Sequence, residues 1–216
     1  MSRLDTNLIL TDRDMLVFRE ISRFHFLLAR HIRFLAGFQS LRVCERRLTK
    51  LCKFTYLEKR HILVGIAPMY FLGKNAKKFS QLKYYTDKQR LDEIDHDIAV
   101  IDSVIYFMDT MKIPLSDFVT ERQLHALDGF ARRKHRPDFV FTNAASERIC
   151  VEIEFTAKSK AKLKDNLRDN FLNYDRQIWI VPENERKLLA QIKDISFQNT
   201  EFLVWEEVKE YVSKIE

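Results

Sequence analysis

The stretch Arg136–Ser159, RPDFVFTNAASERICVEIEFTAKS, puts carboxylates where a sheet normally buries aliphatic side chains. Two strand-like runs, RPDFVF and RICVEIEFT, flank a polar turn, TNAASE. In the second run Val151, Ile153 and Phe155 alternate with Glu152 and Glu154. A strand sends the apolar three to one face and the two acids to the other, about 7 Å apart by strand rise. If the two runs pair as a hairpin, Asp138 at the start of one lies near the end of the other. Three carboxylates then share one small region, and like charges that close call for a cation. Hard oxygen donors suit Mg²⁺ or Mn²⁺. Such an ion lowers the pKa of a bound water and stabilises charge on a phosphate under hydrolysis. The plain alternatives are a solvated sheet face for Glu152 and Glu154, a strand-start residue at Asp138 and a surface lysine at Lys158.

Working outward, residues 91–216 read as an α/β domain. DEIDHDIAVIDSVIYFMDTM is a helix with Ile98, Ile101, Ile105 and Met108 on one face. LSDFVTERQL is a short strand, with Glu121 as a further acid near it. After the hairpin, SKAKLKDNLRDNFLNYD is a helix with Leu163, Leu167, Phe171 and Tyr174 inside. RQIWIVP is a buried-type strand. ENERKLLAQIKD is a helix, and EFLVWEEV a last strand running into a terminal helix.

Residues 1–90 read differently. They hold 19 Lys and Arg against 7 Asp and Glu, net +12, whereas residues 91–216 are net −6. A basic front half is an electrostatic footprint for nucleic acid. Thr11 followed by Asp14 opens a first helix with a capping-box signal. HFLLARHIRFLAG is a second helix, with Leu28, Ile32 and Leu35 in phase and Gly37 as its stop. SLRVCERRLTKLCKF is the third. Leu41, Cys44, Leu48 and Leu51 form one stripe. Arg42, Arg46, Lys50 and Lys53 form another on the opposite side, flanked by Arg47. Like charges four residues apart repel unless something neutralises them, which favours a phosphate-facing stripe over a merely solvated one. A hairpin with Lys59, Arg60 and His61 at its first turn follows. Helix, helix, basic helix and basic-tipped hairpin is the order of a winged helix-turn-helix. The segment KNAKKFSQLKYYTDKQR is either a further DNA-contacting helix or the connector between the domains.

Composition sets bounds on the rest. The 216 residues are 46% hydrophobic with 4 Gly and 4 Pro, enough for two cores and little linker. No run approaches a membrane span, and MSRLDTNLIL lacks the pattern of a signal peptide. Cys44, Cys52 and Cys150 fit free thiols in a reducing compartment. A soluble cytoplasmic protein with no membrane partner is expected. There is no phosphate-binding glycine loop, no paired-histidine metal motif and no nucleophile elbow. Tyr84, Tyr85 and Tyr174 are the available covalent nucleophiles. Tyr174 reads as core, and the pair Tyr84–Tyr85 is the better placed.

RPD, fourteen residues from Asp138 to Glu152, then EIE, resembles the PD-(D/E)XK nuclease motif, and the order of helices and strands resembles that family's core. The resemblance implies Asp138 and Glu152 as metal ligands, aided by the carbonyl beside Glu152. Glu154 stands where the motif has lysine, and Lys158 is the nearest lysine. Over nearly its whole length the chain is similar to the replication-relaxation family of plasmid and mobile-element proteins and to MobC-type mobilization relaxases. A histidine matching His96 opens the same helix in that family. The resemblance implies an α/β (α+β overall) chain with a winged helix at 1–90 and a nuclease-like mixed sheet flanked by helices at 91–216. It implies binding of a specific duplex site at an origin of transfer or replication, with accessory mobilization or replication proteins as further partners. Metal-dependent nicking of one strand follows, with Asp138, Glu152, Glu154 and Lys158 catalytic and Arg42, Arg46, Arg47, Lys50, Lys53, Lys59 and Arg60 on the DNA. The second reading is a non-enzymatic origin-binding initiator or repressor whose nuclease-like domain is inactive.

Overall fold

The computed structural model describes residues 8–80, 90–128, 135–156 and 158–215. The chain is mixed α/β, with eight α-helices and two sheets among those residues, and divides into two compact units, Met1–Glu93 and Ile94–Glu216.

In the first unit, Thr11 and Asp14 form a reciprocal capping box that starts α1 (Asp12–Phe24). The chain then makes a two-residue strand, β1 (Leu27–Leu28), before α2 (Ala29–Leu35). Leu28, expected inside the second helix, instead pairs with Met69, and its N–H donates to His31 Nδ1. Gly37, at φ 63°, ends the turn after α2. Ser40 caps α3 (Leu41–Lys53). Two strands follow, β2 (Leu57–Arg60) and β3 (Met69–Leu72), and the antiparallel sheet has the order β1-β3-β2. Gly73 follows β3 and lies against the turn between α3 and β2, its N–H donating to the Tyr56 carbonyl. A Cβ there would lie 2.4 Å from the Thr55 carbonyl oxygen, so no other residue fits without a backbone shift. Phe18, Ile21, Leu27, Ile32, Cys44, Leu48, Leu51 and Phe71 are fully or almost fully buried in this unit. Each large apolar side chain so buried contributes roughly 1.5–3 kcal/mol.

The second unit begins with α4 (Ile94–Thr110) and continues through β4 (Phe118–Thr120), α5 (Glu121–Asp128), β5 (Phe139–Thr142) and β6 (Arg148–Ile153). After these come α6 (Lys160–Asn173), β7 (Arg176–Val181), α7 (Arg186–Ile195), β8 (Thr200–Val204) and α8 (Trp205–Ile215). The sheet order is β4-β5-β6-β7-β8. The first three strands are an antiparallel meander, and β6, β7 and β8 run parallel. Cross-strand register puts Phe139, Val151 and Ile178 on one face and Cys150, Glu152, Gln177 and Trp179 on the other. The first face packs on α4, where Phe107 meets Phe139 and Phe141. The second packs on α6 and α7, where Trp179 and Val181 join Leu163, Leu167, Leu188 and Ile192.

Two elements differ from the sequence reading. LSDFVTERQL is not one strand: the strand stops at Thr120 and α5 starts at Glu121. The Gln123 side chain accepts from the Thr120 N–H at 3.0 Å and from its hydroxyl at 3.2 Å, so T-E-R-Q is a helix start. In α6 the buried stripe is Leu163, Asn166, Leu167 and Asn170. Phe171 is half-buried, and Tyr174 lies past the helix end with the Arg148 guanidinium over its ring at 5.3 Å. Two asparagines on an apolar face are the mark of a polar group beneath.

Candidate functional site

The β5–β6 register brings Asp138 beside Glu152. Phe139 pairs with Val151, and one step before it the Asp138 N–H donates to the Val151 carbonyl at 3.1 Å. Asp138 is held on three sides by backbone. The Ile153 N–H donates to its Oδ2 at 2.6 Å, and its own carbonyl accepts from the Glu121 N–H at 2.8 Å. Oδ1 is left toward His96, whose Nε2 is 3.4 Å away. The His96 ring also meets Phe155 edge-on.

Glu152 is 5% exposed and Glu154 3%, so the acid-bearing edge of β6 is not a solvated sheet face. Burying a carboxylate demands compensation, and each has its own. Glu152 Oε1 contacts His135 Nε2 at 2.6 Å and accepts from Asn170 Nδ2 at 2.8 Å. Both bonds fall on one oxygen, and Oε2 lies outside this clamp. Glu154 continues the ladder through its N–H to the Ile180 carbonyl, 3.0 Å, and its Oε2 lies 2.5 Å from Lys158 Nζ.

The charges feel one another across the cluster. Burial alone would raise the Asp138 carboxyl; the charge of His96, the Ile153 N–H and Lys158 bring it below the ordinary carboxylate range. Burial works against a charged His96, yet Asp138 lifts its pKa to about 11. His135 is likewise raised, against its burial, by Glu152. Desolvation, then the negative charge of Asp138 and Glu152, pushes Glu121 up to about 7. Glu154 is raised by burial, with Lys158 opposing. Lys158 overcomes its own desolvation through Glu154 and is raised, with Glu152 and Asp138 adding to the effect. His96, Glu121, His135, Asp138, Glu152, Glu154 and Lys158 therefore form one electrostatic unit.

Among the described residues, no three His, Cys, Asp or Glu side chains gather closely enough to hold a metal ion by themselves. What the cluster offers is two carboxylates on neighbouring strands, Asp138 and Glu152. That is compatible with Mg²⁺ or Mn²⁺, which keep several waters and take substrate phosphate oxygens in place of a full protein cage.

Of the expected site residues, Asp138, Glu152, Glu154 and Lys158 come together. His135 and Asn170 were not singled out from the sequence, and Glu121 was noted only as a further acid. The signal for Asn170 was its place on an apolar helical stripe. His135 precedes the RPD triplet but carries no pattern of its own. Tyr84 and Tyr85 lie outside the described residues. Tyr174 is pushed up to about 12 by burial, which disfavours the phenolate a nucleophile needs.

In the first unit, Arg42, Arg46, Lys50 and Lys53 are exposed along α3, with Cys44, Leu48 and Leu51 buried on its other side. Lys59 is exposed on β2. Arg47 and Arg60, expected on DNA, are engaged within the fold. Arg47 Nε donates to Asp14 Oδ1 at 2.8 Å, its Nη2 bonds Asp14 Oδ2, and Nη2 also donates to the Ile9 carbonyl at 2.8 Å. Arg60 pairs with Glu58 at 2.5 Å and lies 4.4 Å over the Phe71 ring. No described helix is long and apolar enough to cross a membrane.

Compared with known proteins, the chain matches no family model, no curated protein and no solved structure.

Proposed function

We propose that the chain is a sequence-specific DNA-binding protein that nicks duplex DNA in a divalent-metal-dependent reaction. Its expected place of action is a plasmid or mobile-element origin in the cytoplasm. The observation that carries the reading is the placement of Asp138 and Glu152 side by side on neighbouring strands, with the charge of Lys158, in the loop before α6, acting on both. Two acids on neighbouring strands that share one field with a lysine suit phosphodiester cleavage.

Asp138 and Glu152 would hold Mg²⁺ or Mn²⁺, and the bound ion would supply an acidified water and charge neutralisation at the scissile phosphate. The backbone pins Asp138 through Oδ2, and His135 with Asn170 pins Glu152 through Oε1. Glu152 Oε2 is thereby oriented in advance, whereas Asp138 Oδ1 faces His96, which an incoming ion would displace. Lys158, tethered by Glu154, keeps its proton and acts on the phosphate as a charge rather than as a base. The first unit supports the DNA-binding half of the reading. The order α1-β1-α2-α3-β2-β3, the β1-β3-β2 sheet and the exposed cationic stripe of α3 suit a winged helix laid on phosphates. The meander of β4, β5 and β6 followed by parallel β7 suits a nuclease-like core.

One observation favours the second reading, an initiator or repressor with an inactive domain. The lysine of the site is already paired with Glu154, and no third ligand stands ready.

Conversion of supercoiled plasmid carrying the protein's own flanking DNA to open circles decides between them. Wild type with Mg²⁺ or Mn²⁺ is expected to nick, EDTA to stop it, and Asp138→Asn to lose it by about 10²–10³-fold with binding retained. Salt-sensitive binding without nicking under any metal would leave the initiator reading.

A further inference from the structure

We propose that the tip of the β2–β3 hairpin is an apolar wedge that inserts at a base step of the bound duplex and kinks it; this rests on the DNA-binding reading. The tip is HILVGIAP, residues 61–68. Its turn falls at Val64 and Gly65, and Gly65, at φ 85°, supplies the left-handed conformation. Val64 is 105% exposed, projecting wholly into solvent, with half-buried Ile62, Leu63 and Ile66 around it. A hairpin tip has no need of four large aliphatic residues for its own folding, since polar turn residues do that work.

Charge decides the occupant. Lys59 and His61 are exposed at the base of the tip, and Arg60 stacks on Phe71 there. The one acid of β2, Glu58, is paired with Arg60. Strand β2 starts at Leu57, four residues after α3 ends at Lys53, so exposed Lys59 follows directly on exposed Lys50 and Lys53. An apolar point rimmed by cations fits a polyanion with an apolar interior, which is stacked DNA. Proteins that wedge aliphatic side chains between base steps kink the duplex by about 20–90°. The rigid base would hold the rim on phosphates while the tip unstacks one step.

The test uses the full chain and an end-labelled duplex of about 20 base pairs, well under the DNA persistence length and roughly 70 Å end to end when straight. Anisotropy reads binding and energy transfer between the ends reads bending. Wild type is expected to bind and to raise the transfer. Val64→Ser should abolish the rise while changing Kd by no more than about threefold, because phosphate contacts supply most of the affinity. Val64→Phe should preserve it. Bending by Val64→Ser equal to wild type overturns the wedge and leaves the DNA reading standing. No binding by wild type overturns both. A shift from dimer to monomer on Val64→Ser in sedimentation assigns the tip to a second copy of the chain and also overturns the wedge. Unchanged far-ultraviolet dichroism confirms that the exposed substitution leaves the fold intact.

Discussion

Lys158 Nζ lies 2.5 Å from Glu154 Oε2, so the residue that occupies the motif lysine's place holds a lysine supplied from four positions on. The charge is delivered from the loop before α6 instead of from the strand. Removing it should be felt in the chemistry and not in DNA affinity. Lys158→Ala is expected to lower the nicking rate by about 10²-fold, the usual scale for one positioned charge or proton-transfer group. The double change Glu154→Lys with Lys158→Ala returns a lysine to the motif's own spacing and should recover part of the loss. Plasmid relaxation rates at saturating metal check both. Recovery absent from a folded double variant would separate this site from the motif it resembles.

The clamp on Glu152 makes a second prediction. Asn170 Nδ2 and His135 share Oε1. Asn170→Ala leaves that buried oxygen with one partner fewer, a cost of about 1–3 kcal/mol. Groups that orient a metal ligand typically matter about 10–100-fold in metal affinity. The metal concentration for half-maximal nicking should rise by that factor, with a smaller effect on the rate at saturation. Asn170→Asp would place a second carboxylate against Glu152 and should be worse than alanine.

Glu121 sets a pH dependence. Desolvation and the charges of Asp138 and Glu152 raise its folded pKa to about 7, so the fold favours the protonated acid, with the effect on stability reduced because the side chain is half exposed and lies 3.3 Å from His125. The sign follows from linkage. Its penalty is absent below the unfolded value and grows as pH rises through the folded one. In EDTA, Glu121→Gln should match wild type in melting temperature near the unfolded value and exceed it above pH 7. A difference that shrank with rising pH would contradict the crowding of Glu121 by Asp138 and Glu152.

Arg46 and Arg47 are neighbours with opposite expectations. Arg46 is exposed on the cationic stripe, so Arg46→Ala should reduce the slope of log binding constant against log salt by about one. Arg47 neutralises Asp14, whose side chain is 1% exposed. Arg47→Ala leaves the buried Asp14 carboxylate with Thr11 as its remaining partner and should destabilise the first unit by about 1–3 kcal/mol. Burial would raise Asp14, but its bonds to Arg47 and Thr11 hold it below the ordinary range. That contribution is present above the unfolded pKa and lost as pH falls through the folded one. The penalty of Arg47→Ala should therefore be largest at neutral pH and shrink in acid, as read by thermal melts across the range.

The local elements were legible in the chain because local physics makes them. The Thr11–Asp14 capping box, the two-sided α3 and the hairpin around TNAASE each rest on residues a few positions apart, and helix and strand periods alone sort their faces. Even the missed start of α5 was written locally, in Thr120 and Gln123. What sequence could not supply was which long-range partner each buried charge would find. Arg46 and Arg47 look alike in a row of letters, and only the tertiary fold turns one to solvent and brings the other to Asp14 at the start of α1. Glu152 and Glu154 alternate in a way that fits an exposed face equally well. Only the tertiary fold buries them, with Asn170 of α6 aimed at Glu152 and Lys158 at Glu154. Alternation and capping depend on neighbours along the chain, whereas desolvation and charge pairing depend on neighbours in space, and the tertiary fold alone decides those.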